Sequence, residues 1–229
     1  MASILQSRGP IAPPFYFNDA NVSRHSPEMT GRIILNSMCA RLGWPSLAGK
    51  RVLDFGCGVR MVRTIVNLEL EIGFYAGIDV NAEAIAWLRQ NVDDPWFLFV
   101  HLDMRNAFYN LNGGPCGDDT LCSRGVVGFD VACMFSVITH QAPEDALQIF
   151  RMLRPSAERL YFTAFIDDTV DRYVEKDPDH PSHMSTYAPS YLLEILAASG
   201  WRSDTSYPRS PLLFQQSAFV CSHAMRAAG

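Results

Sequence analysis

The sequence lacks the features that would place it in a membrane, secretory or nucleic-acid-binding class. No apolar run approaches the roughly 20 residues that a membrane-spanning helix needs, and residues 1–8 are too weakly apolar for a signal peptide. A formal net charge of −5 and a pI of about 5.6 give no overall positive field to attract a polyanion. We therefore expect a cytoplasmic protein with neither a membrane nor a nucleic-acid partner.

The sequence also lacks a recognisable metal-binding pattern. Its cysteines form no pair of closely spaced pairs, which is the usual arrangement of zinc ligands; they are Cys39, Cys57, Cys116, Cys122, Cys133 and Cys221. We expect free thiols and no metal site, although Cys116 and Cys122 share a loop that could hold a disulfide or a metal. The segment 177–183 combines two histidines with two aspartates, but its prolines favour an extended surface segment. Contact with a substrate is the role that we expect for the polar side chains of this region, namely His180, His183 and Tyr187.

The length and composition suit one enzyme-sized domain. At 229 residues with 48% hydrophobic content, the chain can bury one substantial core. Residues 1–27 are proline-rich and aromatic, and we expect an irregular N-terminal arm there, followed by a single α/β domain over 28–229. Within that domain we expect the segments 106–128 and 167–189 to be lid or substrate-selecting loops.

The most informative segment is Lys50–Gly58, which reads KRVLDFGCG. A short β-type run leads to Gly56 and Gly58, which permit a sharp turn close to a ligand, and apolar residues then recur at helical spacing over 61–66. Asp79 ends the next apolar run, 21 positions after Gly58, where a carboxylate can accept both hydroxyls of a ribose. The pattern predicts strand, glycine turn, helix and strand around a nucleotide-type cofactor.

Two classes of cofactor suit this arrangement, and two side chains distinguish them. A dinucleotide fingerprint has a small residue three positions after the second glycine, where this chain has Met61. Asp54, two positions before the first glycine, suits a ligand with an ammonium group rather than a pyrophosphate. Because S-adenosyl-L-methionine carries such a group, we predict it as the cofactor and disfavour an NAD-dependent oxidoreductase.

This region resembles the class I S-adenosylmethionine-dependent methyltransferases, whose first motif is an acidic residue followed by Gly-x-Gly-x-Gly and whose second motif ends in an acidic residue. The resemblance covers roughly residues 30–221. It implies that the glycine turn holds the methionine end of the cofactor, Asp79 the ribose and Asp103 the adenine. The cofactor-binding residues that it implies are Asp54, Gly56, Cys57, Gly58, Asp79, Val80, Asp103, Met104, Phe135 and Ser136.

One position departs from the motif of the family. Arg60 stands where the third glycine would be, and the segment 56–63 is similar to the Gly-Cys-Gly-x-Gly-Arg-x-x-Arg motif of some bacterial members with one glycine deleted. Arg60 either clamps the carboxylate of the cofactor or is a solvated side chain on the first helical turn. The departure also leaves open a use of the cofactor other than methyl transfer.

A continuous apolar run over 129–137 is typical of a central parallel strand that is buried on both faces. Ligands bind outside the carboxyl ends of such strands, so we expect Phe135, Ser136, Thr139 and His140 to face a ligand. The stretch from Ser136 to His140 is similar to the Ser-Val-Phe-Thr-His stretch of the resembling subgroup, which implies that Phe135 and Ser136 line the methyl end. His140 is our candidate general base; the alternative is that it caps the following helix or binds backbone.

The remaining pattern completes the predicted fold. A fifth strand over 160–166 precedes a helix near Pro189 and a hairpin over 201–222, and such a hairpin is the topology of the resembling family. We predict a Rossmann-like α/β fold with a seven-stranded, mostly parallel sheet, an antiparallel C-terminal strand and helices on both faces. The resemblance implies methyl transfer to an oxygen or nitrogen of a small molecule. The alternatives are a non-methylating S-adenosylmethionine-binding enzyme or sensor on this fold, and a protein-partner module with a vestigial pocket.

Overall fold

The computed structural model describes residues 10–14, 26–106, 110–175 and 184–224. The chain divides into two compact units, unit 1 over Met1–Gly114 and unit 2 over Pro115–Gly229. Most of the predicted N-terminal arm and the histidines at 180 and 183 lie outside the described residues. The single domain expected over 28–229 stays a prediction.

Unit 1 contains three parallel strands and three helices in its described part. In chain order these are α1 (Pro27–Leu42), β1 (Arg51–Phe55), α2 (Arg60–Asn67), β2 (Phe74–Asp79), α3 (Ala82–Asn91) and β3 (Phe97–His101). The strand order is β3-β2-β1, and β1 and β2 run in register from Arg51 beside Phe74 to Phe55 beside Ile78. Strands β1 and β2 are buried on both faces, which explains their nearly continuous apolar sequences.

The ends of the helices in unit 1 follow local signals in the sequence. Helix α1 begins after Ser26, whose Oγ accepts a hydrogen bond from the Met29 N–H at 3.1 Å, and it ends at Gly43, which has a φ of 72°. Helix α3 begins after Asn81, whose Oδ1 accepts from the Ala84 N–H at 3.1 Å. Helix α1 thus ends at a glycine with positive φ, and α3 begins at an asparagine whose side chain caps it.

A short segment of the predicted arm, residues 10–14, is held against α2. The Asn67 side chain accepts from the Ile11 N–H at 2.8 Å and donates to the Ile11 carbonyl at 3.0 Å. Both backbone groups of Ile11 are therefore bonded by one side-chain amide. The same amide donates to Glu28 at 2.9 Å, and Arg63 forms an ion pair with Glu28 at 2.6 Å. Although burial acts to raise it, these partners hold the pKa of the Glu28 carboxyl below its ordinary value.

Unit 2 contains six strands and two helices in its described part. In chain order these are β4 (Phe129–Met134), α4 (Pro143–Leu153), β5 (Ala157–Ile166), β6 (Tyr173–Glu175), β7 (Ser185–Tyr187), α5 (Pro189–Ala198), β8 (Trp201–Ser210) and β9 (Gln216–His223). Strand β5 pairs in parallel with β4 and β7 and antiparallel with β9, and β8 continues the sheet beside β9. The predicted fold class is confirmed, since a mostly parallel α/β arrangement ends in an antiparallel hairpin.

The strands β6 and β7 were not predicted, and they bring the number of described strands to nine rather than seven. They pair antiparallel over three residues each, inside the segment expected to be a loop. Tyr173 and Tyr187 pack with ring centroids 5.2 Å apart. Strands of three residues carry too few alternations to stand out in a sequence.

A cluster of large aromatic side chains forms the core of unit 2. The Phe162 ring lies 5.1 Å from Phe150 and 4.9 Å from Phe219, centroid to centroid, and all three are buried. The buried Trp201 donates its indole N–H to the Phe150 carbonyl at 2.9 Å, so its one polar atom is satisfied. Across both units, no described helix is long and apolar enough to cross a membrane.

Candidate functional site

The turn between β1 and α2, over Gly56–Gly58, is called the glycine turn below. Gly56 has a φ of 73° and Gly58 a φ of 47°, which L-residues with a side chain rarely adopt. The N–H groups of Gly56 and Cys57 both donate to the Ile78 carbonyl, at 2.8 and 3.1 Å, and so tie the turn to β2. A Cβ added to Gly58 would meet no atom within 4 Å, so the turn has open space beside it for a ligand.

Asp79, the last residue of β2, is bonded directly to the glycine turn. Its Oδ2 accepts from the Gly58 N–H at 2.8 Å, and its Oδ1 accepts from the Asn81 N–H at 2.9 Å. Burial raises the pKa of the Asp79 carboxyl above its ordinary value, although these N–H donors and the nearby His101 act in the opposite direction. A carboxylate has about four acceptor positions, so Asp79 retains capacity to accept from a ribose hydroxyl.

Asp54 is directed into the interior of unit 1. It is 1% exposed, and the buried Tyr75 hydroxyl donates to its Oδ2. The Tyr75 ring is in turn packed by Phe97 and Phe99, with centroids 5.6 and 6.4 Å away. In this conformation the carboxylate contacts the phenol, and the contact with a ligand ammonium group stays a prediction.

The segment after β3 carries the side chains that the resemblance assigns to the adenine. Asp103 is exposed, and its Oδ1 accepts from the Asn110 side chain at 2.9 Å. Met104 is half-buried and forms an isolated bridge with Gly114. The Val80 carbonyl lies 3.2 Å from the His101 imidazole, so the backbone just after Asp79 is held from the neighbouring strand.

The end of β4 in unit 2 carries a polar cluster that the sequence did not predict. Ser136 lies two residues past β4 and has a φ of 57°, in the left-handed region. Its N–H donates to Thr163 Oγ1 at 3.0 Å, and its Oγ accepts from Gln216 Nε2 at 2.7 Å. The Thr163 hydroxyl donates to Gln216 Oε1 and closes the set. These three residues are called the Ser136 cluster below.

The other predicted residues of unit 2 lie in and beside a short turn. Phe135 is half-buried and packs edge-on against Phe214, with centroids 5.8 Å apart. His140 is half-buried and ends a 3₁₀ turn over Ile138–His140, with its N–H bonded to the Val137 carbonyl at 3.0 Å. Thr139 was expected to face a ligand, but it is buried, and its hydroxyl donates to the Ser136 carbonyl at 2.8 Å. The general-base role of His140 stays a prediction.

The segment 167–189, which was expected to be a substrate loop, contains two short strands and a cavity. Tyr187 is completely buried, and its hydroxyl donates to the Gln141 carbonyl at 2.6 Å, so it packs in the interior rather than facing a substrate. Burial accordingly raises the pKa of the Tyr187 hydroxyl. Asp168, which follows β5, lines an open cavity of about 580 Å³ with Asp171 and residues 188–190.

The six cysteines form no disulfide with one another in the structure, and all six are described. Burial raises the pKa of the Cys221 thiol and disfavours its reactive thiolate. Within the part of the chain that the structure describes, no group of three or more histidine, cysteine, aspartate or glutamate side chains could hold a metal ion.

Comparison with solved structures identifies the fold. The magnesium protoporphyrin IX methyltransferase of Synechocystis PCC 6803, solved with bound S-adenosylmethionine, matches with a TM-score of 0.56 and 14% identity, over 91% of this chain and 88% of that one. An S-adenosylmethionine-bound amino pentose methyltransferase of Micromonospora echinaspora matches with a TM-score of 0.58 and 13% identity, over 95% and 100%.

A third match is the 1,6-didemethyltoxoflavin N1-methyltransferase of Burkholderia thailandensis, solved with that substrate and S-adenosylhomocysteine. It has a TM-score of 0.53 and 19% identity, over 90% of this chain and 82% of that one. No protein-family model matches the chain. The structural neighbours are class I S-adenosylmethionine-dependent methyltransferases of small molecules, and this chain has their fold.

Proposed function

We propose that this protein binds S-adenosylmethionine at the glycine turn and Asp79 and transfers the methyl group to an oxygen or nitrogen of a small-molecule acceptor. The observation that carries the proposal is the hydrogen bond from the Gly58 N–H to Asp79 Oδ2 at 2.8 Å. It joins the sharp turn to the carboxylate that would accept the ribose hydroxyls, beside open space at Gly58. The methyltransferase fold supports the same cofactor.

The hydrogen bonding of the glycine turn favours this cofactor over a dinucleotide. A pyrophosphate site uses free backbone N–H groups at a glycine-rich turn as its donors. Here the N–H groups of Gly56 and Cys57 donate to Ile78, and that of Gly58 donates to Asp79. These three N–H groups are therefore already bonded and are not available as donors to a pyrophosphate. A dinucleotide site needs a small residue near the start of the helix, so that the helix can pack close to the strand. This chain has the buried Met61 at that position of α2.

Methyl transfer asks the protein mainly to orient two reactants and to exclude water. When bound, the sulfonium of the cofactor supplies an electrophilic methyl group for an in-line displacement. In our proposal Asp79 holds the ribose, while Val80, Asp103 and Met104 receive the adenine. From the family resemblance we also propose that Phe135 and Ser136 line the methyl end. His140 would take the proton of an acceptor that is a poor nucleophile.

The first experiment is calorimetric titration of the full chain with S-adenosylhomocysteine, with NAD as a comparison ligand. We expect micromolar affinity for the adenosyl ligand, weakened at least tenfold by Asp79→Asn, because a charged acceptor makes the stronger hydrogen bonds. Glu83→Gln on the exposed surface of α3 makes the same carboxylate-to-amide change and should leave the affinity unchanged. Folded wild-type protein that binds no adenosyl ligand would contradict the proposal. Binding of NAD that depends on Asp79 would instead support an oxidoreductase.

A second candidate function uses the same cofactor without methyl transfer. The observation that favours it is Arg60, the first residue of α2, which stands where the family has a glycine at the methionine end. A bulky cation there could hold the cofactor in a pose that is unsuited to displacement. Incubation with S-adenosylmethionine labelled in the methyl group, together with a panel of hydroxyl- and amine-bearing acceptors, distinguishes the two. Tight binding with full retention of the label would favour an S-adenosylmethionine-binding sensor or a non-methylating enzyme.

A further inference from the structure

The Ser136 cluster is a closed set of three hydrogen bonds in unit 2. The Ser136 N–H donates to the Thr163 hydroxyl, which donates to the Gln216 carbonyl oxygen, and the Gln216 amide N–H₂ donates back to Ser136 Oγ. Thr163 is 0% exposed and Gln216 is 3% exposed. The cluster joins the end of β4, the middle of β5 and the first residue of β9. Neutral groups buried in this way persist because each is satisfied by the others.

The bonding pattern fixes the orientation of the Gln216 amide. Thr163 Oγ1 already accepts from the Ser136 N–H, so its own proton needs an acceptor, and Gln216 Oε1 is that acceptor. With the amide turned by 180°, the buried Thr163 proton would have no partner among the described residues, which would cost on the order of 1–3 kcal/mol. Gln216 therefore presents an N–H donor, and not its oxygen, to Ser136 Oγ.

The orientation of the amide decides what the Ser136 hydroxyl can do. Because Ser136 Oγ accepts from Gln216, its own proton is directed away from the cluster. Within the described residues this proton has no acceptor, and Ser136 is half-exposed. The φ of 57° and the bond to Thr163 hold the backbone that carries the hydroxyl. A hydroxyl restrained in this way is set to donate a hydrogen bond to a ligand atom with a lone pair.

We propose that Gln216 is a positioning residue that orients the Ser136 hydroxyl to donate a hydrogen bond to a lone-pair atom of the adenosyl cofactor. The proposal rests on the proposed function, since it takes the cofactor as the ligand at Ser136. Gln216 is not itself in contact with the ligand; it acts by occupying one lone pair of Ser136 Oγ. The residue lies 80 positions after Ser136 in the sequence.

The test is a double-mutant cycle on the affinity for S-adenosylhomocysteine, measured by calorimetry with the full chain. Ser136→Ala should weaken binding about threefold to tenfold, the range for one neutral hydrogen bond. Gln216→Met, which keeps the volume but removes both amide bonds, should weaken it by a similar or smaller factor. The double variant should bind no more weakly than Ser136→Ala alone, because Gln216 acts only through the hydroxyl.

The controls separate this role from a structural one. Gln148→Met makes the same change at an exposed hydrogen bond to Asp118 and should leave the affinity unchanged. If Gln216→Met weakens binding by the same factor with and without the Ser136 hydroxyl, in variants that melt cooperatively, Gln216 is merely structural and the inference is overturned. An unchanged affinity in Ser136→Ala also overturns it, while the proposed function survives. Absence of binding by the folded wild type overturns both.

Discussion

The glycine turn in unit 1 and the Ser136 cluster in unit 2 both hold backbone in the left-handed region, but they do so by different means. At Gly58, with a φ of 47°, the missing side chain makes the conformation inexpensive. At Ser136, with a φ of 57°, an L-residue adopts a strained conformation, and bonds from Thr163 and Gln216 hold it there. Unit 1 therefore obtains its turn from local composition, whereas unit 2 obtains its turn from distant partners.

The two regions also differ in charge. Beside the glycine turn, Asp54 is a buried acid that accepts from the Tyr75 hydroxyl, and Asp79 is an acid bonded to the turn itself. The Ser136 cluster contains only a hydroxyl, an amide and another hydroxyl. Hydrogen bonds to charged groups are about twice as strong as neutral ones, so removal of one partner should cost more in unit 1.

The largest expected effect on stability follows removal of the Tyr75 hydroxyl, which donates a hydrogen bond to the buried Asp54. Tyr75→Phe takes one donor from Asp54, and we expect the free energy of unfolding to fall by about 2–3 kcal/mol. Tyr191→Phe, at a half-buried tyrosine whose ring lies under Arg172, is the matched control and should change it by less than about 0.5 kcal/mol. Urea unfolding measures both. Equal effects of the two changes would show that the hydrogen bond between Tyr75 and Asp54 adds nothing to the free energy of unfolding.

The corresponding change in the neutral cluster should cost less. Thr163→Val keeps the shape but leaves the Ser136 N–H and the Gln216 carbonyl oxygen without this partner, and we expect a loss of about 1–2 kcal/mol. Thr205→Val on the exposed part of β8 is the control, and it should be close to neutral. A loss for Thr163→Val that exceeds the one for Tyr75→Phe would reverse the order that charge predicts.

A third prediction compares two glycines with positive φ. Gly58→Ala meets no steric clash, so its cost comes from the left-handed backbone and should be about 1–2 kcal/mol. Gly43→Ala, at a φ of 72° and with equally open surroundings, should cost about the same. Only Gly58→Ala should also weaken binding of S-adenosylhomocysteine. If both variants bind as the wild type does, the space beside Gly58 does not belong to the cofactor.

The smallest expected effect is a dependence of cofactor affinity on pH. Burial raises the pKa of Asp79 in the ligand-free protein, whereas ribose hydroxyls would donate to the ionised carboxylate and lower that pKa on binding. Affinity for S-adenosylhomocysteine should therefore be full above the raised pKa and decline as the pH falls through it, by at most about tenfold per pH unit for one linked proton. Calorimetry across mildly acidic to neutral pH measures the decline. Asp79→Asn should abolish it, and a decline that persists in that variant would assign the titration to another group.

The glycine turn could be predicted from the sequence because its determinants are local. Two glycines, an apolar run on either side and a carboxylate 21 positions later are enough to specify the strand, the turn and the helix after it, although the hydrogen bond from Gly58 to Asp79 was not predicted. The caps of α1 and α3 are equally local, since each uses a residue next to the helix. Chemistry that depends on nearby residues and standard geometry can therefore be inferred from the amino-acid sequence alone.

The features that could not be predicted depend on partners that are distant in the chain or on very short elements. Ser136 is 27 positions from Thr163 and 80 from Gln216, and no local pattern connects them. The contact of Tyr75 with Asp54 depends on which way a buried carboxylate turns. Strand β8 contains Pro208, which has no N–H to donate. Among the described strands β8 pairs only with β9, and an edge strand of this kind tolerates a proline on the side that has no neighbour.

The position of Gln216 at the start of β9 has a consequence for the order in which the protein is made. A ribosome delivers the chain from the N-terminus, and early segments can fold while later ones are still absent. The hydrogen bonds described above for the glycine turn close between residues 56 and 81, so a nascent chain has these partners early. The Ser136 hydroxyl, by contrast, acquires its orientation only after residue 216 has been synthesised. A chain that ends before β9 would contain all the residues of the glycine turn described above. It would lack Gln216 and therefore could not complete the Ser136 cluster.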